Sequence, residues 1–420
     1  MHWTGLIFRR EHFYECRLDL LLADELMKKL LVVWRGAGQL AWRARAPFQS
    51  VMFTSNSAIL PFVARNMSTT RHLRPTVTVF SSISDVAESL SSACADIPLH
   101  VIVDDALGGY GGTVEIDPKR LSAETMTSLR EAQILITEPA AIASLLKHDA
   151  SALENLKWCQ STYAGVDPLF RAGLELPLSF QLTRFAGCFG PPIAEWTLAR
   201  IIEHERGFAA TASDQQETKW AGSRERVLSY RYLSRMTLSI LGCGDIGTCI
   251  AAAAKAFGMK TVGYTRTPRD KGEKERVGAV DEYTSDVTYA LQAGDFVVSV
   301  LPSTPETIGL LSGEALAIAS KCKGGKCPVF LNVGRGDVID EASIIQALDN
   351  DCISAAILDV FEVEPLPVDS PLWSHSKVTI SPHVSGLTQA SDVPKVFLSN
   401  YERYVEGESL HYAVDWNKGY

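Results

Sequence analysis

From Thr76 onward, short apolar runs alternate with longer stretches of helical length. Thr76–Phe80, His100–Val103 and Ile134–Thr137 have the length and composition of strands. Pro192–His204 brings Ile193, Trp196, Ala199 and Arg200 onto nearby turns, which predicts one amphipathic helix. The polar segment Thr211–Arg226 breaks the pattern and is expected to link two lobes. A second series opens at Met236, with Thr237–Leu241 a strand, Ile246–Phe257 a helix and Lys260–Tyr264 the next strand. Phe296–Leu301, Val329–Val333 and Ala355–Leu358 continue it, and beyond Ser385 a polar helical stretch leads into a C-terminal tail. Strands alternating with helices predict parallel βαβ units, and the second series predicts a doubly wound sheet.

With 420 residues the chain has room for two ordinary domains. Apolar residues make up 46% and charged residues 21%, a globular profile that argues against wholesale disorder. There is no apolar run of about 18 residues, so no membrane-spanning helix is expected. The net charge of -9 argues against a nucleic-acid binder, which normally carries a basic face. Nine cysteines without framework spacing read as thiols in a reducing compartment. Cys322 and Cys327 are not followed by a second pair or a histidine at zinc spacing, so no metal site is predicted.

The charge is unevenly spread. Residues 1–75 carry 11 Lys and Arg against 5 Asp and Glu. No acid occurs between Glu25 and Asp85, whereas Arg35, Arg43, Arg45, Arg65, Arg71 and Arg74 all fall in that gap. Met52–Arg74 would serve as an organelle transit peptide if translation began at Met52. Glu11, Glu15 and Asp19 weaken that reading for a start at Met1, and an unstructured extension is the alternative. A cytoplasmic or mitochondrial location is expected.

Leu241–Gly247 reads L-G-C-G-D-I-G between a strand and a helix. Gly242 permits the tight turn, Gly244 lets backbone approach a pyrophosphate, and Gly247 lets the helix pack on the strand. The diphosphate would sit on the positive helix N-terminus at Asp245 and Ile246. An NAD-preferring site places an acid about 20 residues on, at the end of the next strand. Here that position offers Thr265, Arg266, Thr267, Pro268 and Arg269, with no carboxylate until Asp270. Arg266 suits a 2′-phosphate, Thr267 can hydrogen-bond it and Arg269 can assist. NADP(H) is therefore the expected cofactor, with NAD(H) as the alternative.

Three later motifs carry candidate chemistry. Asn332-Val333-Gly334-Arg335-Gly336 leaves an arginine at the carboxyl end of a strand, where open α/β sheets bind ligands. A guanidinium there suits a planar carboxylate. Asp359 to Leu366 supplies acids after another apolar strand, and Ser381-Pro382-His383-Val384-Ser385-Gly386 presents a histidine in a turn. Nothing in spacing pairs His383 with Glu364, and a lone histidine is more often structural.

Taken together, the glycine fingerprint, NVGRG, LDVFEVEPLP and SPHVSG resemble the D-isomer-specific 2-hydroxyacid dehydrogenase family. The resemblance spans roughly residues 76–420, including the loop Trp158–Asp167, and Leu301-Pro302 with Thr304 and Thr307. Within that family the chain is most similar to the glyoxylate/hydroxypyruvate reductase branch, which often prefers NADPH. The resemblance implies two doubly wound parallel-sheet domains with the active site in the cleft between them. One is a flavodoxin-like substrate domain (76–205 with 386–420), the other a Rossmann dinucleotide-binding domain (206–385).

Carried over residue by residue, Arg335 would bind the substrate carboxylate and polarise its carbonyl. His383 would be the general acid/base, with Glu364 hydrogen-bonded to it. Asp359 would face the nicotinamide amide, and backbone N–H groups around Ala164 and Gly165 would hold the substrate carboxylate. Leu301, Pro302, Thr307 and Val333 would line the cofactor. The family chain has an acid in many members where this one has Thr265 and Arg266, which puts NAD preference in doubt but not the reaction.

The implied reaction is reduction of a small 2-oxo acid, with a protonated His383 as acid; a carboxylate beside a histidine favours the imidazolium. A homodimer is expected from the resemblance. The family also contains corepressors that sense dinucleotides, the rival reading; no Lys/Arg-rich nuclear block favours it here. Substrate choice is expected to depend on the first lobe, with the loop Leu107–Gly112 a candidate.

Overall fold

The computed structural model describes residues 74–108, 116–220, 222–268, 278–321 and 327–419. The stretch from Met52 to Leu73, Arg269, Asp270, Cys322 and most of the loop after Gly108 lie outside the described residues.

The first lobe is built on β1 (Val77–Val79), β2 (Leu99–Val101), β3 (Ile134–Thr137), β4 (Trp158–Ser161) and β5 (Gln181–Thr183), in the order β2-β1-β3-β4-β5. Every neighbouring pair is parallel. Strands β1, β3 and β4 are buried along their whole length, as parallel strands covered on both faces must be. Helices α1 (Val86–Ala93), α2 (Ala123–Glu131) and α3 (Pro139–His148) make the crossovers, and α4 (Asp167–Arg171) follows β4. Ser122 caps α2 by accepting the Thr125 N–H at 3.0 Å, and α3 starts on a proline whose fixed φ suits the first turn.

Helix α5 (Gly190–Arg206) leads out of this lobe and packs on α8 (Asp245–Ala256); a Cβ at Gly190 would strike Cys249 Sγ. The polar segment expected to link the two lobes is helical, in α6 (Phe208–Gln216) and α7 (Arg224–Leu228). It is polar because neither helix buries a residue. Ala209, Ala210, Ala212, Gln215 and Gln216 are good helix formers even without a core to cover.

The second lobe holds β6 (Thr237–Leu241), β7 (Lys260–Tyr264), β8 (Glu282–Thr284), β9 (Phe296–Ser299), β10 (Val329–Asn332), β11 (Ala355–Leu358) and β12 (Val378–Ile380). They form one parallel sheet in the order β12-β11-β10-β9-β6-β7-β8, with α9 (Val287–Ala293) and α10 (Glu341–Asp349) among its crossovers. The chain runs from β6 outward to β8, then returns to β9 on the other side of β6. That reversal opens a crevice at the carboxyl ends of β6 and β9, where such sheets bind ligands.

Finally α11 (Val393–Glu406) returns to the first lobe. Phe397 stacks on Trp158 with ring centroids 5.4 Å apart and planes within 4°. One continuous apolar core runs from Val77 and Trp158 through Ile193 and Ile250 to Val298, so the two sheets share their packing.

Candidate active site

The register of the second sheet sets the site. Asn332 is opposite Leu358, and Leu358 is opposite Ile380, so β10, β11 and β12 end level with one another. Arg335, Asp359 and His383 follow those ends by one to three residues and emerge along one edge. A Cβ on Gly336 would overlap Phe361, so the arginine turn lies directly against the loop that carries Glu364.

His383 Nδ1 lies 2.8 Å from Glu364 Oε2, and Phe361 N–H donates to Glu364 Oε1 at 2.9 Å. Both carboxylate oxygens are therefore fixed. With Nδ1 engaged, Nε2 remains to exchange a proton, and the histidine side chain is 31% exposed. Asp359 is fully buried and holds the histidine turn. Its Oδ1 accepts from Ser381 Oγ (2.5 Å) and Val384 N–H (3.0 Å), its Oδ2 from Ser385 N–H (2.9 Å), and its carbonyl from His383 N–H (2.8 Å). These bonds fix His383 at a φ of 53°, a left-handed conformation that a non-glycine residue adopts only under such constraint.

Arg335 reaches toward the first lobe. Its Nε donates to Asp167 Oδ1 at 3.0 Å and its Nη1 to the Gly334 carbonyl at 2.8 Å. Its Nη2 stands so close to Gly165 that a Cβ there would overlap it. Ala164 and Gly165, in the loop after β4, are both half-buried, and Gly165 lies beside this guanidinium. An arginine and backbone N–H groups at one spot can bind a carboxylate, and a histidine on the same sheet edge can exchange a proton with a carbonyl oxygen.

The glycine loop turns tightly and packs closely under α8. Gly242 has φ 102°, and a Cβ on it would meet the Val300 carbonyl at 3.0 Å. A Cβ on Gly247 would overlap the Gly242 carbonyl, so α8 could not otherwise sit this close to β6. Above Gly244 there is open space, with nothing within 4 Å of its Cβ position. No side chain caps α8, and the N–H groups of a helix N-terminus can bind an anion.

Across the crevice, Leu301 and Val333 are buried, and Gly334 abuts Leu301 N and O. Thr307 Oγ1 shapes the Pro302 turn, donating to the Pro302 carbonyl at 2.5 Å and accepting from Thr304 N–H at 2.9 Å. Arg266 is exposed and lies 3.5 Å from Glu306 on this same loop, while the Thr267 carbonyl accepts from Thr265 Oγ1.

Asp167 was not singled out from sequence, and neither were Arg171 and Asp337. Asp167 stands in the loop that carried part of the resemblance, but 168 residues separate it from Arg335, beyond the reach of any spacing argument. Among the described residues no group of three or more metal-ligating side chains comes together, and no helix is long and apolar enough to cross a membrane.

Comparison with known proteins agrees with this architecture. Residues 198–385 match the family described as D-isomer specific 2-hydroxyacid dehydrogenase, NAD binding domain. A D-isomer specific 2-hydroxyacid dehydrogenase family protein from Aeromonas salmonicida is 31% identical, with TM-score 0.67, over 82% of this chain and 99% of that one. The NADPH-dependent glyoxylate/hydroxypyruvate reductase of Sinorhizobium meliloti, solved with NADP and sulfate, is 26% identical with TM-score 0.64, over 82% of this chain and all of its own. An uncharacterized protein of Corynebacterium melassecola is 29% identical over 270 residues, 64% of this chain and 84% of that protein. With its two parallel-sheet lobes and this match over nearly the whole of a solved relative, the chain belongs to the D-isomer specific 2-hydroxyacid dehydrogenase family, whose members are NAD(P)-dependent oxidoreductases.

Proposed function

We propose that this chain is an NADPH-preferring reductase of small 2-oxo acids, of the glyoxylate/hydroxypyruvate type, which forms D-2-hydroxy acids. The observation that carries this reading is that Arg335, Glu364 and His383 emerge along one sheet edge, with Arg335 against Gly165 of the facing lobe.

In this reading Arg335 and the backbone N–H groups of Ala164 and Gly165 hold the substrate carboxylate. Arg335 also stabilises the negative charge that grows on the carbonyl oxygen, a preorganised electrostatic role. Glu364 keeps His383 oriented through the bond to Nδ1, and His383 gives a proton to the carbonyl oxygen. When bound, the reduced nicotinamide supplies the hydride to the carbonyl carbon.

The residues around the crevice fit such a cofactor. Gly242, Gly244, Gly247 and the N–H groups of Asp245 and Ile246 would take the diphosphate. Leu301, Pro302, Thr307, Val333 and Asp359 would flank the nicotinamide half. Arg266 and Thr267 would take a 2′-phosphate, in keeping with the NADP complex of the Sinorhizobium meliloti reductase. Phe208, Trp220, Leu228 and Tyr232, all large and exposed between α5 and β6, support a homodimer joined through this region.

The test is oxidation of NADPH by the full-length protein across a panel of 2-oxo acids, with NADH alongside. Turnover of glyoxylate or hydroxypyruvate with NADPH preferred is the expected result. NADPH binding without turnover of any acid would overturn the reading in favour of a dinucleotide sensor.

A further inference from the structure

Four charged side chains of alternating sign join the two lobes beside the site. Arg335 Nε donates to Asp167 Oδ1 at 3.0 Å, and Asp167 Oδ2 lies 3.6 Å from Arg171 Nη2. The same Arg171 nitrogen donates to Asp337 Oδ2 at 2.9 Å, and Ser303 Oγ donates to that oxygen at 2.6 Å. Asp167 and Arg171 belong to α4 of the first lobe, whereas Ser303, Arg335 and Asp337 follow β9 and β10 of the second. The two links differ in setting. Arg335 and Asp167 are 25% and 17% exposed, but Arg171 is 57% exposed. Burial by itself would push the Asp167 carboxyl up; the charges of Arg335 and Arg171, with the Arg335 hydrogen bond, more than offset that and hold it below the usual carboxylate range.

An arginine has a long flexible stem, and a bound anion gains only if the guanidinium already stands in place. Here Asp167 takes Nε and the Gly334 carbonyl takes Nη1, which fixes the plane at two points and turns Nη2 onto Gly165. Helix α4 is itself braced, because Phe170 packs on Trp416 of the C-terminal tail with centroids 5.7 Å apart.

We propose that Asp167 is a positioning residue, which holds Arg335 against Gly165 in the orientation that receives the substrate carboxylate. The proposal rests on the reading of Arg335 as the carboxylate-binding residue. It also requires the lobes to be closed, since the acid comes from one lobe and the arginine from the other. A merely structural role for Asp167, as a link in the chain of charges, makes a different prediction. Breaking the exposed link at Arg171 would then do the same damage as removing Asp167.

The test compares Asp167→Ala, Asp167→Asn and Arg171→Gln in the full-length protein. For each, kcat and KM for glyoxylate and hydroxypyruvate are measured at saturating NADPH, together with the NADPH dissociation constant. A crystal structure of Asp167→Ala completes the set. Losing a charge-assisted hydrogen bond should raise KM about tenfold or more in Asp167→Ala, with NADPH affinity unchanged. Asp167→Asn keeps an acceptor for Nε and should recover part of the loss, and Arg171→Gln should stay close to wild type. The guanidinium should leave Gly165 in the Asp167→Ala structure. An unchanged KM, equal effects of Asp167→Ala and Arg171→Gln, or an unmoved guanidinium would each overturn the proposal. If the wild type reduces no 2-oxo acid while the guanidinium still leaves Gly165 in Asp167→Ala, the positioning role stands and the reductase reading fails.

Discussion

Glu364 Oε2 and His383 Nδ1 stand 2.8 Å apart although 19 residues separate them, and the contact exists because β11 and β12 end level. The second carboxylate oxygen is held by the Phe361 N–H, so the pair cannot rotate freely. Replacing His383 with Ala should lower kcat by about 10²–10⁴-fold, the usual worth of a general acid, and leave NADPH binding intact. Glu364→Gln retains a hydrogen-bonding side chain without the charge and should cost less. Steady-state kinetics with fluorescence titration of NADPH checks both; near-normal turnover in His383→Ala would remove the assignment.

Arg266 and Glu306 face each other at 3.5 Å across the crevice, and both are more than half exposed. A 2′-phosphate would compete with Glu306 for this guanidinium. Arg266→Ala should weaken NADPH by about 10- to 100-fold, the loss of a charge-assisted contact, and leave NADH nearly unchanged. Glu306→Gln should move the preference the other way, by roughly a few-fold, as an exposed pair allows. The measurement is the ratio of kcat/KM for the two cofactors, and an unaltered ratio in Arg266→Ala would end its role in cofactor choice.

Glu138 sits at the carboxyl end of β3 with no exposed surface. Its Oε1 accepts from Ser81 Oγ at 2.5 Å, Ser82 N–H at 3.2 Å and Thr162 Oγ1 at 3.2 Å. Burial raises its carboxyl above the usual value, and these three bonds do not offset it. A carboxyl raised on folding binds its proton more tightly in the native state, so its contribution is complete below the unfolded value and is lost as pH rises through the folded one. Glu138→Gln retains the amide oxygen as acceptor and has no proton to lose. Melting temperatures from acid to neutral pH should therefore fall less steeply in the variant than in the wild type, and parallel curves would contradict this account.

Much of the fold was legible because parallel strands covered on both faces are mostly apolar. Ile134–Thr137, Thr237–Leu241, Lys260–Tyr264 and Ala355–Leu358 have the bounds expected from the sequence. Strands β4 and β5 gave no such signal. They carry Cys, Gln, Ser and Thr, and their polar groups are satisfied internally, as where Trp158 Nε1 donates to Thr183 Oγ1 at 2.9 Å. The motifs around Arg335, Glu364 and His383 could be read one by one, but their meeting depends on strand order and register. The contact of Asp167 with Arg335 depends further on how the lobes close, which no local pattern encodes.

Gly244 and Gly247 separate the requirements of folding from those of binding. A Cβ at Gly247 would overlap the Gly242 carbonyl, so Gly247→Ala must push α8 away from β6 and should lower both stability and dinucleotide affinity. At Gly244 the backbone has φ -79° and ψ -152°, which alanine can adopt, and nothing lies within 4 Å of the added carbon. Gly244→Ala should therefore melt with the wild type. In the proposed site that same open space is where a pyrophosphate would approach the backbone, so the methyl should weaken NADPH and NADH alike. Thermal melts with and without each dinucleotide read both effects at once. A Gly244→Ala variant that still gains full stabilisation from NADPH would move the diphosphate site away from this loop.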